Sequence, residues 1–327
     1  MLAATAQARN ADGTLGFLQR PNNGIPALLA GTVEFTVEAQ GEATLEISGA
    51  GGTYPVTVAW SGVEGGLRHG TCSVPEHLPA GLYSLTATHA GGKDTNTRAV
   101  AILPPPEEYY VLAHLSDTHI GSARHKRKAT DILRDEIALI NKSGATFCLV
   151  TGDLTDNGKP EEFKDFVEVL DTCTIPTFVC PGNHDRDGLN YEKAFGTLDY
   201  VFTYGRDGYL SFDTKDYVTA ADTGPQAGSL ETLRRSIKAA RWSIGFSHRY
   251  EPLQGMRSQL ALFVDNPLDY LLFGHWHREN TEEEKGVPWG RTRISVVPAG
   301  INGAFRLIDV TPAGLRFRPV EPAVPID

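Results

Sequence analysis

The stretch "YLLFGHWH", Tyr270 to His277, decides the fold because it joins an apolar strand to a polar tip. The apolar run ends at Gly274, and two histidines follow with one residue between them. These histidines are either incidental loop residues or ligands. A ligand site at the end of one strand needs further polar side chains at the ends of other strands, so the rest of the chain distinguishes the two explanations.

Four other apolar segments end in polar residues in the same way. They are "HLSDTH" with Asp117 and His119, "VTGD" with Asp153, "PGNHD" with Asn183, His184 and Asp185, and "GFSH" with His248. Because ligands bind beyond the carboxyl ends of strands in open α/β sheets, we expect the five tips to converge. Imidazole nitrogens combined with carboxylate and amide oxygens suit divalent transition metals. The sequence therefore predicts a metal site at this edge of the sheet.

The spacing within two of the tips predicts how the side chains point. In "DTH" and "HWH" the candidate ligands are two residues apart, and alternate side chains of an extended strand share one side. Both members of each pair are therefore expected to reach one centre, while Trp276 points away into packing or, as the alternative, stacks on a substrate. Glycines precede Asp153, Asn183 and His275, where they permit sharp turns and close backbone approach.

The chain divides into two domains on its pattern of apolar residues. Residues 1–103 contain short alternating segments such as "GTVEFTVEA" and "GLYSLTATHA" between Gly-rich and Pro-rich turns. This pattern predicts an all-β sandwich of the immunoglobulin or fibronectin type III kind. Residues 104–108, within "LPPPEE", are expected to form a stiff linker.

Residues 109–327 have a different sequence pattern, in which apolar strand segments alternate with helical segments. This alternation predicts a domain of α/β class, with a sheet that helices cover. "MRSQLALFVDN" is expected to be one of the helices, and "RTRISVVPAG" and "AFRLIDVTPAGLRFRPV" are expected to close the domain as antiparallel strands.

Composition limits the classes of function. The chain has 327 residues, of which 41% are hydrophobic and 21% charged, and its formal net charge is -10. This acidity argues against nucleic acid as a partner. No apolar run approaches the roughly 20 residues of a transmembrane helix. No signal peptide is visible at the N-terminus, although a sandwich appended in this way favours a periplasmic or secreted protein.

The series "DTH … GD … GNHD … H … GHWH" resembles the calcineurin-like metallophosphoesterases from about Tyr109 to Val310. The resemblance implies a sandwich of two β-sheets flanked by helices and a site for two divalent metal ions, with Mn, Fe, Zn, Co or Ni all possible. It implies that one ion is held by Asp117, His119, Asp153 and His277, and the other by Asp153, Asn183, His248 and His275. It places His184 beside the ions as a catalytic residue, and Asp185 either orients His184 or caps the loop.

The resemblance also implies a reaction, which is attack of a metal-bridging hydroxide on a small phosphate ester. A phosphodiesterase is the favoured function; the alternatives are a phosphomonoesterase or nucleotidase with the same centre, and a non-catalytic scaffold on this fold. Two positions differ from related branches. Asp156 stands where purple acid phosphatases carry Tyr, and Asn157 where Ser/Thr protein phosphatases carry Arg.

Substrate contacts are expected from residues near the tips. The candidates are Arg124, His125, Arg249, Tyr250 and Asn302. The N-terminal domain is expected to serve either as a brace for the catalytic domain or as a module that contacts a surface or a carbohydrate.

Overall fold

The computed structural model of the chain describes residue 10 and residues 12–213, 225–249, 267–278, 292–320 and 323–327. Two sequence predictions, the substrate contact Tyr250 and the helix "MRSQLALFVDN", lie outside these ranges. None of the helices within them has the length and apolar character that crossing a bilayer requires.

In the described residues of the N-terminal part, the regular secondary structure consists of β-strands joined by turns and loops. The strands are β1 (Leu18–Arg20), β2 (Ala27–Ala30), β3 (Glu34–Ala39), β4 (Thr44–Gly49), β5 (Gly52–Glu64), β6 (Leu67–Ser73), β7 (Gly81–His89) and β8 (Gly92–Leu103). They are hydrogen-bonded in the order β1-β3-β6-β5-β4-β7-β8-β2. Val37 of β3 and Leu85 of β7 are separated in this order by β6, β5 and β4 but share one apolar core. The sheet therefore folds over itself; its likeness to an immunoglobulin or fibronectin domain stays a prediction.

The second part contains two five-stranded sheets in the described residues. Its strands are β9 (Tyr110–Leu115), β10 (Phe147–Thr151), β11 (Thr177–Cys180), β12 (Tyr200–Tyr204), β13 (Asp207–Ser211), β14 (Ser243–Phe246), β15 (Tyr270–Phe273), β16 (Arg293–Val296), β17 (Arg306–Thr311) and β18 (Gly314–Phe317). The first sheet has the order β11-β10-β9-β17-β18, and the second has the order β12-β13-β14-β15-β16.

Helices connect and cover these strands. They are α1 (Ala129–Ile140), α2 (Pro160–Leu170), α3 (Asn190–Phe195), α4 (Pro225–Ser236) and a 3-10 helix at Gly300–Asn302. Strand β15 shows why the sheets form a sandwich. Tyr270 and Leu272 pack into the core that both sheets share, whereas Leu271 and Phe273 pack on the other face with Leu230 of α4. The unbroken apolar run "YLLF" is thus the signature of a strand buried on both faces.

Strand direction places the polar tips at one end of the sandwich. Strands β9, β10 and β11 are parallel, and so are β13 to β16. The expectation that "RTRISVVPAG" is antiparallel was wrong, because β16 runs parallel to β15. After the 3-10 helix the chain reverses, and β17 is antiparallel to both β9 and β18; β12 is antiparallel to β13 in the second sheet. Domain boundaries at 103 and 109 remain predictions.

The two parts of the chain meet at strand β11, an edge strand of the first sheet. The Val179 amide donates to the Gly24 carbonyl at 2.9 Å, and the Thr177 hydroxyl donates to the Asn23 carbonyl at 2.8 Å. This contact between residues 22–25 and β11 is called the seam below. It covers an otherwise exposed strand edge, and β11 leads through Cys180 directly into the "PGNHD" tip.

Candidate metal centre

Each candidate ligand follows the end of a strand by a few residues. Asp117 comes two residues after β9, and Asp153 two residues after β10. Strand β11 leads to Asn183, β14 to His248 and β15 to His275. Two sheets therefore supply the tips, and their carboxyl ends meet at one end of the sandwich.

The backbone at these tips is left-handed, not extended. Among the described residues, seven other than glycine have positive φ, and five of them are candidate ligands: Asp117, His119, Asp153, His275 and His277, with φ from 44° to 70°. The expectation that "DTH" and "HWH" continue as extended strands was therefore wrong. Left-handed backbone costs a non-glycine residue roughly 1–3 kcal/mol, and such conformations gather at functional sites.

Two glycines let the tips pack tightly enough to share ligands. A Cβ on Gly182 would overlap the backbone amide and carboxylate of Asp153, and a Cβ on Gly274 would overlap Ser116 and approach Asp117 Oδ2 at 2.5 Å. Because a side chain at either glycine would push two tips apart, the sequence needs glycine at both places.

The described residues include three overlapping groups that could hold a metal ion. They are Asp117, His119 and His277; His119, Asp153 and His184; and Asp153, His248 and His275. Within each group the ligand atoms lie within 4.8 Å of one another. Asp153 and His119 each belong to two groups, so the three groups form one connected cluster.

The orientations within the cluster suit a cation. His277 Nε2 lies 3.1 Å from Asp117 Oδ1 and 3.2 Å from His119 Nε2. His248 Nε2 lies 3.0 Å from Asp153 Oδ2. In the part of the chain that is described, neither the buried Asp117 Oδ1 nor the buried His248 Nε2 makes a hydrogen bond of good geometry. Buried polar atoms normally have partners, so converging atoms without them fit metal ligands.

Hydrogen bonds behind the cluster set the orientation of His248. Its Nδ1 lies 2.8 Å from the Thr151 carbonyl, which can only accept, so Nδ1 carries the proton. The same carbonyl accepts a hydrogen bond from the Ser116 hydroxyl at 2.7 Å. Nε2 is thus the atom that faces the carboxylates, which is the arrangement that metal-binding histidines adopt.

The carboxylates attract positive charge to the centre. Burial lowers the pKa of His248, but Asp153 and Asp117 outweigh it and hold that pKa at about 9. Burial and the neighbouring His248 lower the pKa of His275 to about 4. Burial opposes ionisation of Asp117, yet His248 keeps the pKa of that carboxyl below its usual value. A proton on His248 or a metal cation can supply the charge that this carboxylate pair requires.

The "PGNHD" tip places its residues at the rim of the cluster. Asn183 and His184 are exposed. The His184 amide donates to Asp153 Oδ1 at 2.8 Å, and its ring Nδ1 donates to the Asp156 carbonyl at 2.7 Å. The carbonyl fixes the proton on Nδ1, so His184 Nε2 remains available for proton transfer.

Among the described residues, the hydrogen bonds of Asp185 go to groups other than the His184 ring, whose Nδ1 bonds the Asp156 carbonyl. The buried carboxylate accepts hydrogen bonds from the Leu154, Thr155 and Gly182 amides and from the Thr155 hydroxyl, at 2.8 to 3.2 Å. Burial and the nearby Asp153 raise the pKa of Asp185 to about 6. Asp185 therefore links the loop after β10 to the loop after β11, and its part in the site stays a prediction.

The substrate candidates lie in separate places around the centre. Arg124 Nη1 is 2.8 Å from His277 Nδ1, so Arg124 reaches the cluster. His125 Nε2 is 3.1 Å from Asn302 Oδ1, which brings two other candidates together. Arg249 follows the ligand His248 directly and is half-buried.

Sequence reasoning missed Asp156 and Thr151 as supports of the centre. Asp156 Oδ1 lies 3.2 Å from His119 Nδ1, an electrostatic contact in which that nitrogen makes no hydrogen bond of good geometry among the described residues, and the Asp156 carbonyl holds His184. The position of an acidic residue three places after Asp153 was a usable signal, because second carboxylates near a ligand often orient it. Thr151 acts on His248 through its backbone carbonyl, which no side-chain pattern reveals. Trp276, expected to be packed, is 45% exposed.

A sandwich of two mixed sheets that gathers carboxylates and imidazoles at its strand ends defines a metal-binding α/β protein. The sequence profile of the calcineurin-like phosphoesterase family matches residues 110–279, which are 170 of the 327 residues. The chain belongs to the calcineurin-like phosphoesterase family, and the resemblance found in the sequence motifs is confirmed.

Curated relatives match about half of the chain. The protein named "Probable glycerophosphodiester phosphodiesterase GpdQ" from Arcobacter nitrofigilis is 34% identical over 171 residues, which cover 50% of this chain and 56% of the relative. The DNA double-strand break repair protein Mre11 of Thermoplasma acidophilum is 34% identical over 191 residues, covering 50% of each. The chain therefore spans about half the length of these relatives.

A solved structure supports the fold over a longer range. The purple acid phosphatase PPD1 from yellow lupin superposes with a TM-score of 0.52 over 90% of this chain and 66% of its own length. The sequence identity is 14%, so this likeness concerns the fold.

Proposed function

We propose that the chain is a phosphoric ester hydrolase that works with two divalent metal ions and prefers phosphodiesters. The observation that carries the proposal is Asp153, which belongs to two of the candidate ligand groups and so can bridge two ions. The first ion would have the ligands Asp117, His119, Asp153 and His277, and the second Asp153, Asn183, His248 and His275.

When bound, two such ions would activate a water for attack on phosphorus and neutralise charge on the phosphoryl oxygens. The residues of the chain supply the rest. In its imidazolium form, His184 can give the Nε2 proton to the leaving oxygen as its bond to phosphorus breaks, and the ring is left neutral with its proton on Nδ1. The Asp156 carbonyl holds the ring in place by accepting from Nδ1 at 2.7 Å. Arg124 adds a cation beside His277, where an anionic ester would approach.

The preference for diesters rests on the named relatives. The Arcobacter protein carries a phosphodiesterase name and is 34% identical over its match to this chain. The Mre11 relative raises a nuclease as a rival, against which the net charge of -10 argues. A phosphomonoesterase would use the same ligands, so substrate comparison has to separate the two.

The test is a reconstitution series on the full chain. Protein stripped with a chelator and reloaded with Mn²⁺ is assayed on bis-p-nitrophenyl phosphate, on p-nitrophenyl phosphate and on duplex DNA. We expect metal-dependent hydrolysis that is fastest on the diester and absent on DNA. Faster cleavage of the monoester would replace the diesterase by a phosphomonoesterase, and DNA cleavage would support the nuclease. A folded protein that takes up no metal and cleaves nothing would support the scaffold.

A further inference from the structure

The residue between the two histidines of "HWH" occupies an unusual place. Trp276 is one of five large apolar side chains that are markedly exposed in the described residues, at 45% of its surface. An exposed indole next to two candidate metal ligands is not needed for the core. Single exposed apolar residues are common, so its neighbours have to show whether the position has a use.

The backbone explains why the indole faces outward. His275 and His277 both have left-handed backbone, with φ of 70° and 53°, and the Trp276 amide donates to the Gly274 carbonyl at 2.9 Å. This tight turn directs the two imidazoles into the cluster and leaves the intervening side chain at its rim. The geometry that aims the ligands thus also presents the indole.

Two contacts of the Trp276 ring define the chemical character of the surface beside the ligand cluster. The Trp276 ring meets the His275 ring edge-on, with centroids 5.7 Å apart and planes at 73°. The guanidinium carbon of Arg278 lies 5.4 Å from the centroid of the same indole. Arg124, at 2.8 Å from His277, adds a second cation on this side of the centre. An aromatic surface flanked by cations suits a ligand that is both planar and anionic.

We propose that Trp276 and Arg278 form a subsite that stacks on an aromatic ring carried by the phosphate ester. The inference rests on the proposed function for the place of the phosphate, which lies at the ligand cluster. The ring would belong to the substituent that points toward His275. An aryl group and a nucleobase share this chemistry, because each offers a flat π-face and gains stacking energy that a saturated ring of equal size does not.

The experiment measures binding without turnover. Calorimetric titration of the Mn²⁺-loaded full chain uses phenylphosphonate and cyclohexylphosphonate, whose phosphorus–carbon bonds resist hydrolysis and whose rings match in size. An adenine-bearing phosphonate forms a third arm. We expect phenylphosphonate to bind about five-fold tighter than cyclohexylphosphonate, since aromatic pairing adds roughly that factor beyond buried area.

Variants assign the preference to the indole. Trp276→Leu should bind both phosphonates with the affinity that the unaltered chain has for cyclohexylphosphonate. Trp276→Phe keeps a π-face and should retain most of the preference for phenylphosphonate. Tighter binding of the adenine compound than of phenylphosphonate supports a nucleobase, and the reverse order supports an aryl group. Equal binding of the matched pair by the unaltered chain, or an unchanged preference in Trp276→Leu, overturns the subsite.

The result of the phosphonate titrations can be distinguished from the result of the hydrolysis assays that test the proposed function. A ring preference that depends on Trp276 in a protein without hydrolytic activity would refute the hydrolase and leave the subsite standing. Metal-dependent diester hydrolysis without any ring preference would overturn the subsite and leave the hydrolase standing.

Discussion

Two buried polar regions of this molecule, the seam and the metal centre, are built in opposite ways. At the seam, Asn22 is fully buried and its amide makes four hydrogen bonds. Its Nδ2 donates to the Gln19 and Phe195 carbonyls at 2.8 and 3.1 Å, and its Oδ1 accepts from the Gly24 and Ile25 amides at 2.9 and 3.0 Å. Folding alone accounts for the burial of Asn22, because both polar atoms of its side-chain amide have partners.

Two residues of the candidate metal centre are as buried as Asn22, but each has a side-chain atom that lacks a well-formed hydrogen bond among the described residues. Asp117 and His248 have no accessible surface, yet Asp117 Oδ1 and His248 Nε2 lack hydrogen bonds of good geometry within the described ranges. Asp117, His119 and Asp153 also hold left-handed backbone. Unsatisfied buried groups and backbone strain both cost stability. The difference teaches that the chain itself supplies the partners of Asn22 at the seam, whereas the unsatisfied atoms of the centre fit a bound cation.

The largest expected effect comes from removing the shared carboxylate. Asp153→Asn keeps the volume but removes the charge that two ions would share, so metal content should fall and kcat/KM for the diester should drop on the order of a thousand-fold. Metal analysis and steady-state kinetics measure the two. Asp165→Asn, an exposed change on α2, is the matched control and should alter neither. If Asp153→Asn retained two ions, the contrast between the seam and the metal centre would not hold.

His184 should affect turnover without affecting the ions. The His184→Ala variant removes the proton donor at the rim, and kcat should fall about a hundred-fold or more. Metal content should stay at the level of the unaltered chain, because in the proposed ligand sets His184 is not a ligand. Equal metal loss in His184→Ala and Asp153→Asn would show that His184 coordinates an ion instead.

Asp156 offers a smaller and more selective effect. Asp156→Ala removes the carboxylate at 3.2 Å from His119 but leaves the backbone carbonyl that holds His184. Metal affinity should weaken by about ten- to a hundred-fold, as is usual for groups that orient a ligand. Competition against a chelator measures it, and Asp165→Ala is the control. Unchanged affinity would mean that His119 needs no such support.

The smallest effect on activity is expected at the seam. Asn22→Ala takes the side-chain partner from the buried Phe195 carbonyl and Gly24 amide and from the partly buried Gln19 carbonyl, whereas the Ile25 amide keeps the Asn22 carbonyl at 3.2 Å. The free energy of unfolding should therefore fall by about 3 kcal/mol. Metal affinity should not change. Gln40→Ala, which removes an exposed amide with one bond to the Gly16 carbonyl, is the control and should cost less than about 0.5 kcal/mol. Lost metal affinity in Asn22→Ala would show that the seam and the centre are coupled.

Much of the fold could be predicted because strand and helix periods are local. "YLLF" and "FCLVT" read directly as buried strands, and the five polar tips could be placed at strand ends. The direction of β16 could not be predicted, because the sequence of a strand does not indicate whether it pairs parallel or antiparallel with its neighbour. The metal motif could be recognised in the sequence because the identity of a side chain determines which metals it can bind.

What the sequence could not give was the geometry between distant segments. The left-handed residues Asp117 and Asp153 pack closely against Gly274 and Gly182, which belong to other loops. The role of Asp185 was left open for the same reason, because the partners of its carboxylate come from another tip.

The central claim is that Asp153 is shared by two metal ions. Anomalous diffraction from crystals of the full chain grown with Mn²⁺ tests it most directly. We predict two peaks about 3.5–4 Å apart, with the Asp153 carboxylate between them and His277 and His248 on opposite sides. A single peak, or a pair of ions that do not both contact Asp153, would contradict this account.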